Sequence, residues 1–169
     1  YGVETDGVMI ANTSVYGNTK KAGETLASAL EAKGCQRVVL CDLAREDMAE
    51  AVEDAFRHGK LVLATTTYNG DIFPFMRTFI EALTERGYQN RTIGIIENGS
   101  WAITAGKVIR GLFEKSKDLT WVDTTVSIMS SMSEENEAQK ASFIQLLKLT
   151  KKVLETCIDL LGFSAPDRM

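Results

Sequence analysis

The chain has little of what metal and thiol chemistry need: one histidine, His58, and three cysteines, Cys35, Cys41 and Cys157, in 169 residues. None of the cysteines stands in C-x-x-C spacing and none has a histidine nearby, so the donors for a zinc or iron site are too few. An odd, unpaired set of this kind reads as reduced packing thiols, which makes the cytoplasm the expected location. Long apolar runs are missing too. None approaches the roughly 20 residues of a membrane-spanning helix, so no membrane partner is expected. Basic charge is neither abundant nor gathered: 19 Lys and Arg face 23 Asp and Glu, for a net charge of −4. Nucleic acid, which demands a concentrated basic face, is not an expected partner. The patterns G-x-x-x-x-G-K-[ST] and G-x-G-x-x-G are absent, which removes support for triphosphate hydrolysis and for the dinucleotide fingerprint. With 2 prolines in all, there is no Pro/Ser-rich linker, and neither a repeat nor a low-complexity segment occurs. One domain spanning 1–169, large enough for a full core, is the reading. The opening "YGVETDG" has no initiator Met, and a partner domain is expected to precede it.

What the sequence does contain is alternation. Apolar, β-rich runs at 7–11, 37–42, 60–66, 91–97 and 119–128 alternate with amphipathic stretches at 18–33, 46–57, 74–87, 102–116 and 134–161. Short, near-continuous apolar strands that each precede a helix predict a parallel sheet covered on both faces and joined by right-handed crossovers. The fold class is therefore α/β, a doubly wound five-stranded sheet of order 2-1-3-4-5. Gly34, Gly87 and Gly162 fall where helices end in left-handed glycine. Pro74 falls in a first helical turn. The last stretch, with Phe143, Leu146, Leu147, Val153, Leu154, Ile158 and Leu161, reads as a core-facing helix.

In such a sheet a ligand binds at the carboxyl ends of the strands, near the switch point. Three loops there are unusual: "TSVYGNT" after the first strand, "TTYNGDIFP" after the third and "ENGSWA" after the fourth. The first, with no charge before Lys20, suits an anion held by helix N-terminal N–H groups and by Ser14, Asn18 and Thr19. An ordinary strand-to-helix turn capped by Asn18 is the competing reading. Tyr68 and Trp101 each put an aromatic ring among small polar residues. Taken singly they are packing residues; beside an anion loop they become walls for a flat, monophosphorylated cofactor.

The segment "SVYGNT" matches the [ST]-x-[TY]-G-x-T phosphate loop of the flavodoxins, and the chain resembles that family. "TTTYNGDIFPFM" and "YQNRTIGIIENGSWAITAGKVI" are similar to the C-terminal flavodoxin domain of the flavodiiron proteins, over about residues 8 to 160. The resemblance implies FMN as cofactor. It implies phosphate contacts from Ser14, Val15, Tyr16, Gly17, Asn18 and Thr19, and flavin-ring contacts from Thr67, Tyr68, Asn69, Gly70, Asn98, Gly99, Ser100 and Trp101. It further implies an electron carrier that makes no bond to substrate, reduced by a redox partner protein and oxidised by a diiron domain that acts on oxygen or nitric oxide. That domain is not in these residues. Ile103 stands where the family pattern suggests proline, which leaves the start of the fourth helix open.

A flavin-dependent NAD(P)H quinone or nitro reductase on the same fold is the alternative; NADH oxidation with a quinone acceptor separates the two. A phospho-acceptor receiver would need acids at the first strand's end, where Ala11, Asn12 and Thr13 stand instead. His58 reads as a solvated helix-end residue and "REDMAEAVED" as a solvated helix face; Glu97 and Asp71 read as solvated rim acids, with acids that disfavour the anionic reduced flavin as the competing reading. The turn "YNGD" is expected in type II form, with Gly70 at its positive-φ position. In flavodoxins, which this loop resembles, the corresponding peptide flips with the flavin's redox state.

Overall fold

The structure is a computed structural model and describes residues 2–100 and 102–129. Strands β1 (Thr5–Asn12), β2 (Val38–Asp42), β3 (His58–Tyr68), β5 (Arg91–Gly99), β6 (Leu119–Trp121) and β7 (Val126–Met129) run parallel, and the short β4 (Asp71–Ile72) folds back on β3. Helices α1 (Asn18–Ala32), α2 (Met48–Arg57), α3 (Pro74–Glu85) and α4 (Ala105–Leu112) connect them. The sheet order is β2-β1-β3-β5-β6, with β7 also on β5. This is the expected doubly wound α/β arrangement, with its fifth strand in two pieces. β6 pairs with Arg91–Ile93 and β7 with Ile96–Gly99, so one edge is continued across a break at 122–125. The helix expected at 134–161, Cys157 and Gly162 lie outside the described residues.

Strand periodicity assigns each residue to a face. Val8, Ile10, Val62, Ala64 and Ile96 meet Leu26 and Leu30 of α1 in one cluster. Met9, Ala11, Leu61, Leu63, Ile93 and Ile95 meet α2, α3 and α4 in the other, around Phe79, Ile80 and Ile109. Each such fully buried Val, Leu, Ile, Met or Phe side chain contributes roughly 1.5–3 kcal/mol. Cys35 and Cys41 are buried free thiols. Burial, with Glu46 beside it, pushes the Cys41 thiol up to about 12.

Helix ends follow local chemistry. Asp47 caps α2 by accepting from Ala49 N at 2.8 Å and Glu50 N at 3.1 Å. Gly34 and Gly87 have φ of 90° and 72°, the left-handed conformation expected after α1 and α3,. Pro74 opens α3. In α2 the buried residues are Ala51, Val52 and Ala55, so its acids occupy the outer face.

His58 corrects its sequence reading. It is 4% exposed and begins β3, and its Nδ1 lies 2.7 Å from the Asp54 carbonyl. The strand starts two residues before its apolar run because the ring packs against the end of α2. Fourth-helix bounds also differ: α4 begins at Ala105, three residues later than expected, where the Thr67 side chain of β3 takes the N–H groups of Thr104 and Ala105. A Cβ at Gly99 would stand 3.3 Å from Ile103 Cγ1 and 3.5 Å from the Ala102 carbonyl.

Candidate functional site

The carboxyl ends of β1, β3 and β5 lie side by side: Asn12 pairs with Ala64, and Thr66 with Asn98. The three unusual loops therefore leave one sheet edge together, as their positions in the sequence predict.

From β1 the chain runs through Ser14, Val15 and Tyr16 to Gly17, the N-cap of α1, whose φ of 87° is one that L side chains rarely adopt,. Asn18 is the first helical residue and not the cap, which corrects the cap assigned to it in the ordinary-turn reading. The first backbone bond into the helix is Lys21 N to Gly17 O at 2.9 Å. The N–H groups of Asn18, Thr19 and Lys20 precede it, no side chain caps them, and no acid stands in the first turn,. Val15 and Tyr16 are exposed, Tyr16 to 89%. Lys20 leans outward to Asp42 at 3.9 Å, and Arg45 joins the same carboxylate at 2.6 Å.

The run of threonines at the end of β3 serves three elements in turn. Thr65 Oγ1 is 2.7 Å from Thr13 Oγ1, in the buried layer beneath the site. Thr66, on the α1 face, lies 3.2 Å from Thr19 Oγ1. Thr67, on the opposite face, accepts from Thr104 N at 3.1 Å and Ala105 N at 3.2 Å. Asn98 Nδ2 donates to Thr19 Oγ1 at 3.2 Å, while its Oδ1 is buried with no partner. Thr19, Thr66 and Asn98 thus form one network that ties all three loops together. Its consequence for Thr19 is specific: the hydroxyl is directed inward, leaving the backbone N–H as its donor toward an anion.

The second loop is a two-residue hairpin. Tyr68 pairs with Asp71, and both central residues have positive φ, Asn69 at 54° and Gly70 at 73°. This is the type I′ signature, not type II. The backbone twist of I′ matches the flanking strands, and Asn-Gly is its strongest sequence signal. Asp71 is held by Arg77 at 2.6 Å and accepts from Ile72 N at 2.7 Å. Burial acts to raise the Asp71 carboxyl, but the Ile72 N–H and the Arg77 guanidinium prevail and keep it below the ordinary carboxylate range. Tyr68, 47% exposed, contacts Phe73 edge-on at 5.5 Å, and Phe73 stacks on the exposed Phe75 at 6.1 Å. The sequence reading missed this aromatic ridge, although "YNGDIFPF" spells it out once the turn is recognised.

In the third loop Asn98 and Gly99 are buried and Ser100 is exposed; Trp101 lies outside the described residues. Glu97 is not a rim acid. Its Oε2 accepts from Gly106 N and its Oε1 from the Ser127 hydroxyl, both at 2.7 Å.

The residues fit a flavin mononucleotide on three counts. A helix N-terminus with free donors has no acid in its first turn, a buried amide oxygen lacks a partner, and an exposed tyrosine stands on the neighbouring loop. Among the described residues no three His, Cys, Asp or Glu side chains gather as a metal site, and no helix is long and apolar enough to cross a membrane.

Comparison with known proteins divides the chain. Residues 124–169 match the family model described as DALR anticodon binding domain. The arginine–tRNA ligase of Agathobacter rectalis is 71% identical over 38 residues and that of Alkaliphilus oremlandii 50% over 38; the chain spans 6% of either ligase's length. Among solved structures it is similar to rubredoxin oxygen:oxidoreductase from Desulfovibrio gigas, with TM-score 0.73 and 17% identity over 96% of this chain and 38% of that one. The Flv1 flavodiiron core of Synechocystis sp. gives 0.74 and 14% over 94% and 36%. A flavodoxin from the domain Archaea gives 0.68 and 16%, covering 94% of this chain and 99% of that one. At these identities the likeness shows the fold, and the fold is flavodoxin-like.

Proposed function

We propose that the domain binds one FMN across the ends of β1, β3 and β5 and serves as an electron carrier. The observation that carries this reading is the N-terminus of α1, opened by a left-handed glycine, uncapped, free of acids, and tied through Thr19 to both neighbouring loops. A positive helix end with free N–H groups suits a phosphate monoester that brings its own charge. Ser14 to Thr19 hold that end of the ligand. Tyr68, Asn69 and Gly70 on one side, and Asn98, Gly99 and Ser100 on the other, hold the ring, with Trp101 added by the flavodoxin resemblance. When bound, the flavin supplies one- and two-electron transfer; the chain binds it, orients it and sets its potential by hydrogen bonds.

The wider reading places the domain in a flavodiiron oxidoreductase of the cytoplasm. A redox protein delivers electrons there, and a diiron domain outside these residues passes them to oxygen or nitric oxide. Its support is the likeness to two flavodiiron structures, of which this chain spans little more than a third. Neither nucleic acid nor membrane enters this reading. Residues 124–169, for all their similarity to a segment of arginine–tRNA ligases, carry five basic and six acidic side chains. That balance gives the segment no net positive charge toward a phosphate backbone.

The test is titration of the 169-residue chain with FMN and with riboflavin, read by flavin fluorescence. About one FMN per chain and at least a hundredfold preference for FMN are expected, because hydrogen bonds to a charged group contribute roughly 1.5–3 kcal/mol each. Equal affinity for the two ligands defeats the phosphate cradle.

A further inference from the structure

Three backbone donors at the start of α4 have no acceptor within their own helix, and side chains from two strands meet them. Thr67, at the end of β3, takes Thr104 N and Ala105 N. Glu97, on β5, takes Gly106 N with one oxygen and is braced by Ser127 of β7 with the other. Local capping is missing: Thr104 makes no side-chain cap bond, and no acid stands in the first turn of α4. The glycine is matched to this arrangement. A Cβ at Gly106 would stand 2.9 Å from Glu97 Oε2 and 3.4 Å from its Cδ, so the carboxylate reaches that N–H because residue 106 has no side chain.

We infer that Thr67 and Glu97 are positioning residues that clamp the N-terminus of α4 to β3, β5 and β7 and so set the course of the β5–α4 connection. That connection leaves β5 just after Asn98 and Gly99, which the flavin reading assigns to the ring. The inference rests on that reading for its ligand, and on hydrogen-bond geometry alone for the clamp. Thr67, placed among the ring contacts by the flavodoxin resemblance, has both hydroxyl lone pairs engaged by α4 and acts through the connection. Neither residue touches the α1 cradle. Their loss therefore weakens ring binding and leaves phosphate binding as it was.

The experiment compares Thr67→Val and Glu97→Leu with the conservative Thr67→Ser and Glu97→Gln, all in the 169-residue chain. In the flavin-free protein, amide exchange at Thr104 and Ala105 accelerates about tenfold in Thr67→Val, and at Gly106 in Glu97→Leu, the size of one lost hydrogen bond. Ser and Gln, which keep an acceptor oxygen, restore parental exchange. The FMN and riboflavin dissociation constants rise by one common factor of about ten in the first pair and return to within about twofold in the second. Should Glu97→Leu fail to fold, Ser127→Ala removes the brace alone and accelerates Gly106 exchange. Parental exchange at all three amides, or a loss confined to FMN, overturns the clamp. A parent that binds neither flavin overturns the flavin reading instead, and the exchange data still decide the clamp.

Discussion

The loop after β1 and the pair of loops after β3 and β5 build the two halves of the proposed site by opposite means. The first half is local: six consecutive residues, a left-handed glycine and the opening turn of a helix create the donors, mostly from backbone. The second half is assembled at long range. Thr67 meets residues 37 and 38 positions away, and Asn98 meets Thr19 across 79. Backbone donors at a helix end persist whatever the side chains are, whereas a long-range acceptor exists only once the sheet has formed. The first half should therefore tolerate side-chain substitution and respond to backbone strain. The second should respond to single side chains.

Gly106→Ala gives the largest expected effect. Helix propensity alone predicts a gain of about 1 kcal/mol from this change. Displacing Glu97 and stranding an amide predicts a net loss of about 1–2 kcal/mol, measurable by urea denaturation. A stabilised variant would show that the long-range half is not held as described.

Gly17→Ala probes the local half. An L side chain in the left-handed region costs about 1–2 kcal/mol, and nothing lies within 4 Å to clash with it. FMN affinity should fall about tenfold while riboflavin affinity stays within twofold, by fluorescence titration. Equal losses would merge the two halves into one.

Thr19→Val sharpens the boundary, because Thr19 belongs to both halves. Its backbone N–H faces the cradle, while its hydroxyl accepts from Asn98 and adjoins Thr66. Removing the hydroxyl strands the Asn98 amide. Affinity should drop for FMN and riboflavin alike, by roughly the 1 kcal/mol of one hydrogen bond. A loss for FMN alone would return the hydroxyl to the phosphate.

Smaller effects belong to the hairpin. In type I′ form Asn69 already has φ 54°. A flip of the 69–70 peptide to type II′ keeps that sign and moves Asn69 into extended positive-φ space, which glycine alone enters readily. Asn69→Gly should ease the flip by about 1 kcal/mol, seen as a wider separation of the two one-electron flavin potentials. Unchanged potentials would free the turn from that role. Asp71→Asn tests the ion pair that closes the hairpin. The folded carboxyl lies below its ordinary value of 3.8, so its contribution is present above about pH 4 and lost as pH falls through the folded value. For a pair this exposed the difference should be well under 1 kcal/mol. A gap between variant and parent that persisted at pH 2 would assign it to packing.

Much of the fold was legible because each strand's apolar run and each helix's period are local properties. Period-2 alternation puts Thr66 and Thr67 on opposite faces, and the contacts say that these are the α1 and α4 faces. His58 was misread because a ring following a helix looks solvated until the strand it begins is seen to lie against that helix. Asn-Gly carried the type I′ signal openly, but the two-residue β4 that makes the turn a hairpin is too short to announce itself.

By itself the sequence determined the α/β alternation, the three chemically unusual loops, and the uncharged run ending in a glycine at the start of α1. Those features depend on residue type and spacing alone. Tertiary structure decided which way the Thr19 hydroxyl faces, why residue 106 is glycine, and that Glu97 serves as a brace and not a rim charge. In each case the deciding partner lies on another element, so its hydrogen bond has no counterpart in the local sequence.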